Sequence, residues 1–285
     1  MTSPITHVSD TARWVAMYRA MESERPDALF RDPLARQLAG ELGEEIIRRV
    51  PKARQMAWPM IVRTAVMDEI ILRVAIQDGA DTVVNLAAGL DARAYRLPVP
   101  PPIRWVDVDL PEIQGYKKAA LTGEWPVCEL EYTPVDLTNE VARRALFARI
   151  GATARRVLVI TEGLLVYLKP EDVAALARDL GAQPAFRWWM TDIGSPRLMK
   201  MLERSWGSSL TSAPFRFAPA EGTKFFEPHG WREKEFRAVF EEARRLKRTM
   251  PLGRLWYWIG RLAPKKKQEE MRRMSGVVLL ERSEP

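Results

Sequence analysis

A short β-branched run that enters a single-glycine turn and passes straight into a helix-forming segment constrains this chain more than any other stretch. It reads Thr82-Val-Val-Asn-Leu-Ala-Ala-Gly-Leu-Asp-Ala-Arg-Ala-Tyr-Arg-Leu97, and a second apolar run, Ile103-Arg-Trp-Val-Asp-Val-Asp109, ends in acids. Strand, turn, helix, then a strand closed by carboxylates is the order in which an α/β sheet holds an adenosine-type cofactor. The turn admits a ligand to the backbone, and the acid accepts hydrogen bonds from ribose hydroxyls.

The turn also excludes ligands. A dinucleotide fingerprint needs three glycines, and only Gly89 is present, with Ala87 and Ala92 where others would help. No G-x-x-x-x-G-K-[ST] phosphate loop occurs. Asp91 follows the glycine closely and would repel a pyrophosphate. A ligand with an amino acid in place of phosphates, such as S-adenosylmethionine, fits better.

Apolar runs then alternate with helical periodicity. Strands are expected at Thr82–Ala88, Arg104–Asp109, Glu129–Asp136, Arg156–Glu162 and Ala185–Asp192, with helices at Pro111–Leu121, Thr138–Ile150 and Glu171–Leu180. Such alternation predicts an α/β, doubly wound, mostly parallel sheet, whose ligands sit at the carboxyl ends of its strands. Gly89, Asp109, Asp136 and Glu162 all fall at or just after those ends. Three helices are expected before the first strand: Thr11–Glu24, a second opening at Asp32-Pro33 and lasting until Pro51, and Pro59–Ile76. They would cap the mouth of the sheet, dividing the chain into a helical cap at 1–80 and a binding core at 81–285. The last third is less regular. Trp231–Arg245 reads as helix, Arg245–Met250 and Gly276–Arg282 as strands, and Leu252–Met274 as a helical insertion.

Thr11-Ala-Arg-Trp with Tyr18-Arg-Ala, Phe30-Arg-Asp-Pro-Leu-Ala35, Arg63-Thr, Asn85 to Leu97, Val108-Asp-Leu-Pro-Glu112 with Lys117, Val135-Asp-Leu137 and Thr161-Glu-Gly-Leu-Leu-Val-Tyr-Leu168 follow one another in order. This series resembles the leucine carboxyl methyltransferase family, in the bacterial branch that includes polyketide-synthesis O-methyltransferases, over roughly the first two-thirds of the chain. Ala87 stands where that family usually has glycine and Ala92 where it often has threonine, so the contact at the ligand's methionine end could be tighter or altered. The resemblance implies a seven-stranded Rossmann-like methyltransferase sheet ending in an antiparallel hairpin, a role for Arg245–Met250 and Gly276–Arg282. It also implies S-adenosyl-L-methionine as cofactor.

By that resemblance Arg63, with Arg19 beside it, would hold the cofactor's carboxylate, a task suited to a guanidinium fork. Asp109 would meet the ribose, although Asp107 shares its strand face and spacing alone leaves the two open. Asp136 and Leu137 would contact the adenine; the alternative for Asp136 is a cap on the following helix. Glu162, a carboxylate inside an apolar strand, needs a cationic partner. A sulfonium or ammonium would serve, and so would a buried arginine. Arg19 and Arg63 could instead be ordinary helix-surface residues.

A catalytic residue is harder to name. Tyr167 could orient an acceptor or pack in the core, and His229, in Glu227-Pro-His-Gly-Trp231, could be a base or a helix-entry residue; His7 is the only other histidine. Trp188, Trp189, Trp206, Trp231, Trp256 and Trp258 could line an aromatic pocket or simply fill the core. Transfer of a methyl group from a sulfonium needs alignment above all. A carboxylate acceptor is already ionised at neutral pH and needs no base. With two histidines and a net charge of +7, an acidic small-molecule acceptor is expected, with a carboxylate or acidic hydroxyl as nucleophile and a role in secondary metabolism. A nucleotide-dependent oxidoreductase and a non-catalytic S-adenosylmethionine-binding protein are the competing readings.

The basic residues are scattered and carry no nucleic-acid signature, so no nucleic-acid partner is expected. No zinc spacing occurs, and no metal is expected. A single cysteine, Cys128, precludes an intrachain disulfide. The polar start and the absence of a span-length apolar run point to the cytoplasm without a membrane partner.

Overall fold

The structure is a computed structural model and describes residues 8–50, 53–206, 214–250 and 263–283. Seven strands form one sheet: β1 (Thr82–Leu86), β2 (Arg104–Asp109), β3 (Glu129–Pro134), β4 (Val157–Thr161), β5 (Phe186–Gly194), β6 (Trp231–Ala238) and β7 (Ser275–Arg282). Their order is β3-β2-β1-β4-β5-β7-β6. The first five strands pair in parallel, and β7 runs antiparallel between β5 and β6.

Burial explains the order. Every residue of β1 and of β4 is buried, as expected of central strands covered on both faces. Side chains alternate between the faces. Val83, Trp105, Leu158 and Met190 meet one apolar layer, which includes α3 (Trp58–Ile76). Val84, Val106, Val159 and Trp189 meet the other, with α6 (Glu140–Thr153) and α7 (Pro170–Gly181). Local signals set the helix ends. The Asn139 side chain accepts from the Ala142 amide at 3.1 Å to cap α6. Proline opens both α5 (Pro111–Ala120) and α7, whose first turns carry acids and last turns bases, complementing the helix dipole.

The expected strands and helices between residues 82 and 192 are all present, within a few residues at each end. Of the three leading helices, α1 (Val8–Ser23) and α2 (Ala35–Arg49) pack on each other around a separate apolar cluster that includes Trp14, Leu38 and Ile46. α2 starts after the expected Asp32-Pro33. The Asp32 carboxylate turns inward to Arg19, and no side chain caps the helix. α3 lies against the sheet, with Val62, Val66, Ile70 and Val74 fully buried.

The final third departs from expectation. Trp231–Ala238 is strand, and only Val239–Arg245, α9, is helix. Residues 246–250 are turn and coil, so the hairpin expected from Arg245–Met250 is formed by β6 and β7. The stretch Arg-Glu-Lys-Glu at 232–235 favours helix locally. Its side chains instead line an edge strand, where charge blunts further pairing and a bulge between Glu233 and Glu235 shifts the register. Of the expected insertion, 252–262 lies outside the described residues, and Lys265–Arg272 is helical (α10). The remaining α-helices among the described residues are α4 (Arg93–Arg96) and α8 (Pro196–Trp206). Among the described residues no helix is long and apolar enough to cross a membrane.

Candidate functional site

The carboxyl ends of β1, β2, β4 and β5 converge on one mouth. At its centre the chain leaves β1 through Ala87 and Gly89, both at φ +52°. Glycine adopts that conformation freely, but alanine does so at a cost. A Cβ on Gly89 would stand 3.3 Å from the Ala12 Cβ of α1, so the turn is also closely roofed.

Asp109 closes β2 beside this turn. Its Oδ2 accepts the Gly89 amide at 2.6 Å and its Oδ1 the Leu110 amide at 2.7 Å. A carboxylate offers about four acceptor positions, so roughly one per oxygen is left for a pair of hydroxyls. Burial pushes its carboxyl above the usual range against those two amides. Asp107 is committed elsewhere: Lys117 Nζ lies 2.7 Å and Trp105 Nε1 2.8 Å from its two oxygens, and it is buried. The geometry favours Asp109 over Asp107 for a ligand at the turn.

Beneath the mouth runs a continuous chain of buried and half-buried ion pairs. Arg63 Nε meets Glu162 Oε1 at 2.9 Å and its Nη1 meets Asp192 Oδ2 at 3.1 Å. Arg93 Nη1 holds Glu162 Oε2 at 2.6 Å and Asp91 Oδ2 at 2.7 Å, while its Nε holds Asp68 at 2.6 Å. Arg96 continues through Asp68 at 2.7 Å to Asp32 at 3.6 Å, and Arg19 closes on Asp32 at 2.8 Å. Four guanidinium groups thus face five carboxylates, leaving one negative charge in excess. Burial would raise the Glu162 carboxyl, but Arg93 and Arg63 outweigh it and hold the group below its usual range. Asp91 is likewise held low against burial by Arg93 and Lys117.

Of the two partners foreseen for Glu162, the structure supplies buried arginine, twice. Arg63 is buried and engaged through Nε and Nη1, neither pair using its Nη2. Arg19 is also buried; its Nη2 donates to Leu90 O at 2.5 Å, bracing the turn from α1. Asp136 is exposed, and its Oδ1 accepts from Thr138 N at 2.8 Å and Thr138 Oγ1 at 2.7 Å. It braces the turn ahead of α6, whose cap is Asn139. Leu137 packs against the apolar layer beside it.

Tyr167 lies in a short 3-10 helix, Leu165–Tyr167, beyond β4. Burial raises its phenol, which bonds Thr11 of α1 and feels the charges of Arg63 and Asp192, so it stands at the mouth. The Phe215 ring is 6.0 Å away. His229 does not join the site. It precedes Trp231, which pairs with Arg282 at the end of the sheet where β5 begins, opposite the mouth. Trp188, Trp189 and Trp231 are core; Trp256 and Trp258 lie outside the described residues, as does the Trp206 side chain. Sequence reasoning missed Arg93, Arg96, Asp68 and Asp192. Asp192 had a visible signal, an acid at a strand's carboxyl end, and the Arg93–Arg96 spacing directly after the turn was another.

The mouth can therefore hold a ligand with adjacent hydroxyls and positive charge. Residues 12–181 match the model of the family described as leucine carboxyl methyltransferase. A Frankia alni protein, provisionally named an S-adenosyl-L-methionine-dependent methyltransferase, is 37% identical over 186 residues, 61% of this chain and 64% of that protein. A Streptomyces coelicolor protein of the same provisional name is 38% identical over 61% of this chain and 65% of its own length. The match thus spans less than two thirds of either relative. In fold, the chain is similar to a DUF574 family protein from Streptomyces avermitilis, with a TM-score of 0.58 at 14% identity over 95% of this chain and 97% of that one. A structure from Thermobifida fusca gives 0.52 at 14% identity over 94% and 95%.

Proposed function

The chain belongs to the leucine carboxyl methyltransferase family, and from that membership we propose that it is an S-adenosyl-L-methionine-dependent O-methyltransferase acting on a small acidic molecule, as in secondary metabolism. The observation that carries the reading is the surplus carboxylate in the ion-pair chain beneath the Gly89 turn. S-adenosylmethionine, with two cationic centres and one carboxylate, has the net charge that balances it.

In this reading Gly89 and Asp109 hold the ribose, Asp136 and Leu137 border the adenine, and Glu162 and Asp192 face the cationic end. Arg63 reaches the carboxylate through Nη2, with Arg19 holding the roof. Bound there, the cofactor supplies an electrophilic methyl group on sulfur. The residues of the chain fix the line of approach and exclude water. Tyr167, at the mouth with a raised phenol, stays protonated at neutral pH and can orient an acceptor as a hydrogen-bond donor. No side chain at the mouth is assigned as a base, which suits a carboxylate or acidic hydroxyl acceptor already ionised near neutral pH. Residues 1–80 would act as the cover and 81–285 as the binding core, with α3 shared between them, in a cytoplasmic enzyme.

Calorimetry of the full chain with S-adenosylmethionine, S-adenosylhomocysteine and NAD(H) tests the cofactor. Heat with the first two and none with NAD(H) is expected; the reverse would favour the oxidoreductase. Incubating the protein with methyl-labelled cofactor and a metabolite extract tests turnover. A base-labile labelled product would identify a carboxyl ester, and binding without any labelled product would leave a non-catalytic binder.

A further inference from the structure

A cavity of about 360 Å³ lies between the end of α1, the start of α3 and the coil after α9. Among the described residues its walls carry Arg25, Arg54, Lys247 and Arg248 against a single acid, Glu22. Arg25 and Arg248 are engaged: Arg248 Nη2 holds Glu22 Oε1 at 2.8 Å and its Nη1 holds Asp27 at 3.1 Å, while Arg25 pairs with Asp27 at 3.0 Å. Among the described residues the side chains of Arg54 and Lys247 have no ion pair or hydrogen bond. The positive end of the α3 dipole adds to the same field. Met21, Trp58 and Ile61 make the apolar part of the wall.

This is not the mouth of the sheet. Trp58 and Ile61 share one face of α3, whereas Arg63 follows Ile61 by about 200° around the helix and turns to Glu162. Arg63 therefore turns away from the cavity; Asp68, which shares the Ile61 face, sits two turns further along α3, about 10 Å on, and no member of the ion-pair chain lines the cavity.

We propose that this cavity is a second binding site, for a small organic anion: one acidic head group on an apolar body. The anion's head relieves the mutual repulsion of Arg54 and Lys247, and its body covers Met21, Trp58 and Ile61. A bare inorganic anion leaves the apolar wall unused, and a neutral alcohol leaves the cations unpaired.

Titration calorimetry of the full chain with hexanoate, 1-hexanol and inorganic phosphate provides the test, repeated with S-adenosylhomocysteine saturating. Hexanoate is expected to bind one site more tightly than either other probe, weaken with salt, and keep its affinity when S-adenosylhomocysteine is present. Both free cations are exposed, so Arg54→Met with Lys247→Met should fold normally, as circular dichroism checks, and should weaken hexanoate roughly tenfold. Absent hexanoate heat, phosphate binding as tightly, an unchanged affinity in the double variant, or competition with S-adenosylhomocysteine would each overturn the proposal. Hexanoate binding by a chain that ignores S-adenosylhomocysteine would sustain this site while removing the cofactor reading.

Discussion

Arg93 Nη1 lies 2.6 Å from Glu162 Oε2, joining the helix that follows the glycine turn to the end of β4. The same guanidinium holds Asp91 and Asp68, so one side chain ties the turn, α3 and the central strand together. Its position at the junction makes the chain of ion pairs a scaffold for the mouth.

Glu162→Gln removes the excess charge and one side of two ion pairs. Arg63 keeps Asp192 and Arg93 keeps Asp68 and Asp91, so the fold should survive with a loss of about 1–3 kcal/mol in denaturant unfolding. S-adenosylmethionine affinity should fall at least about tenfold by calorimetry. An unchanged affinity would remove the charge argument for the cofactor.

Asp109→Ala releases the Gly89 and Leu110 amides and the acceptors expected to meet the ribose. Cofactor affinity should drop roughly 10- to 100-fold, equivalent to about 1.4–2.8 kcal/mol. Asp107→Asn, which disturbs the buried Lys117 pair, should instead act mainly on stability.

Ala87 holds φ +52°, a conformation that costs an alanine about 1–2 kcal/mol. Ala87→Gly relieves that strain but loosens the unfolded chain by about 0.4–1 kcal/mol, so a net gain of about 0.5–1 kcal/mol is expected in chemical unfolding. Gly89→Ala should do the opposite, since its Cβ also presses on Ala12 at 3.3 Å. Equal stability of both variants with the parent would contradict the turn geometry.

Stability should decline in acid. Glu162 and Asp91 titrate below their ordinary values of 4.5 and 3.8, so at those pH values the unfolded chain binds more protons. Their contribution is complete above about pH 5 and disappears as pH falls through the depressed values. Asp107 and Asp109, whose carboxyls are raised, act in the other sense, favouring the folded state most below 3.8 and losing that effect as pH rises through their raised values. Unfolding free energies measured from pH 3 to 7 should show a shallower acid slope in Glu162→Gln than in the parent.

Tyr167→Phe and His229→Ala form a paired test of the acceptor side. Tyr167 stands at the mouth, so losing its hydroxyl should lower kcat roughly tenfold while leaving cofactor affinity nearly unchanged. His229 lies at the far end of the sheet and its loss should leave turnover alone. A His229→Ala enzyme without activity, yet folded, would reverse the assignment of the mouth.

The parallel half of the sheet was legible because each strand carries its own evidence. Val83 and Val84 in β1, and Val157 to Ile160 in β4, are continuous apolar runs that can be satisfied only by burial on both faces. Gly89 and the acids at strand ends then marked the mouth without further help. At 231–238 local propensity pointed to helix and tertiary pairing with β7 decided for strand, since without β6 the outer edge of β7, which carries the buried run from Val277 to Leu280, would be left open.

Sequence by itself determined the sheet's direction and the strand ends beside which Gly89, Asp109 and Glu162 lie, because periodicity and turn chemistry act over a few neighbouring positions. Only the tertiary structure decided what those residues do to one another. Arg63 meets Glu162 across 99 positions and Asp192 across 129, and Arg93 meets Asp68 across 25. Charges buried together must pair with whatever the fold brings within reach, and no local pattern records which partners those are.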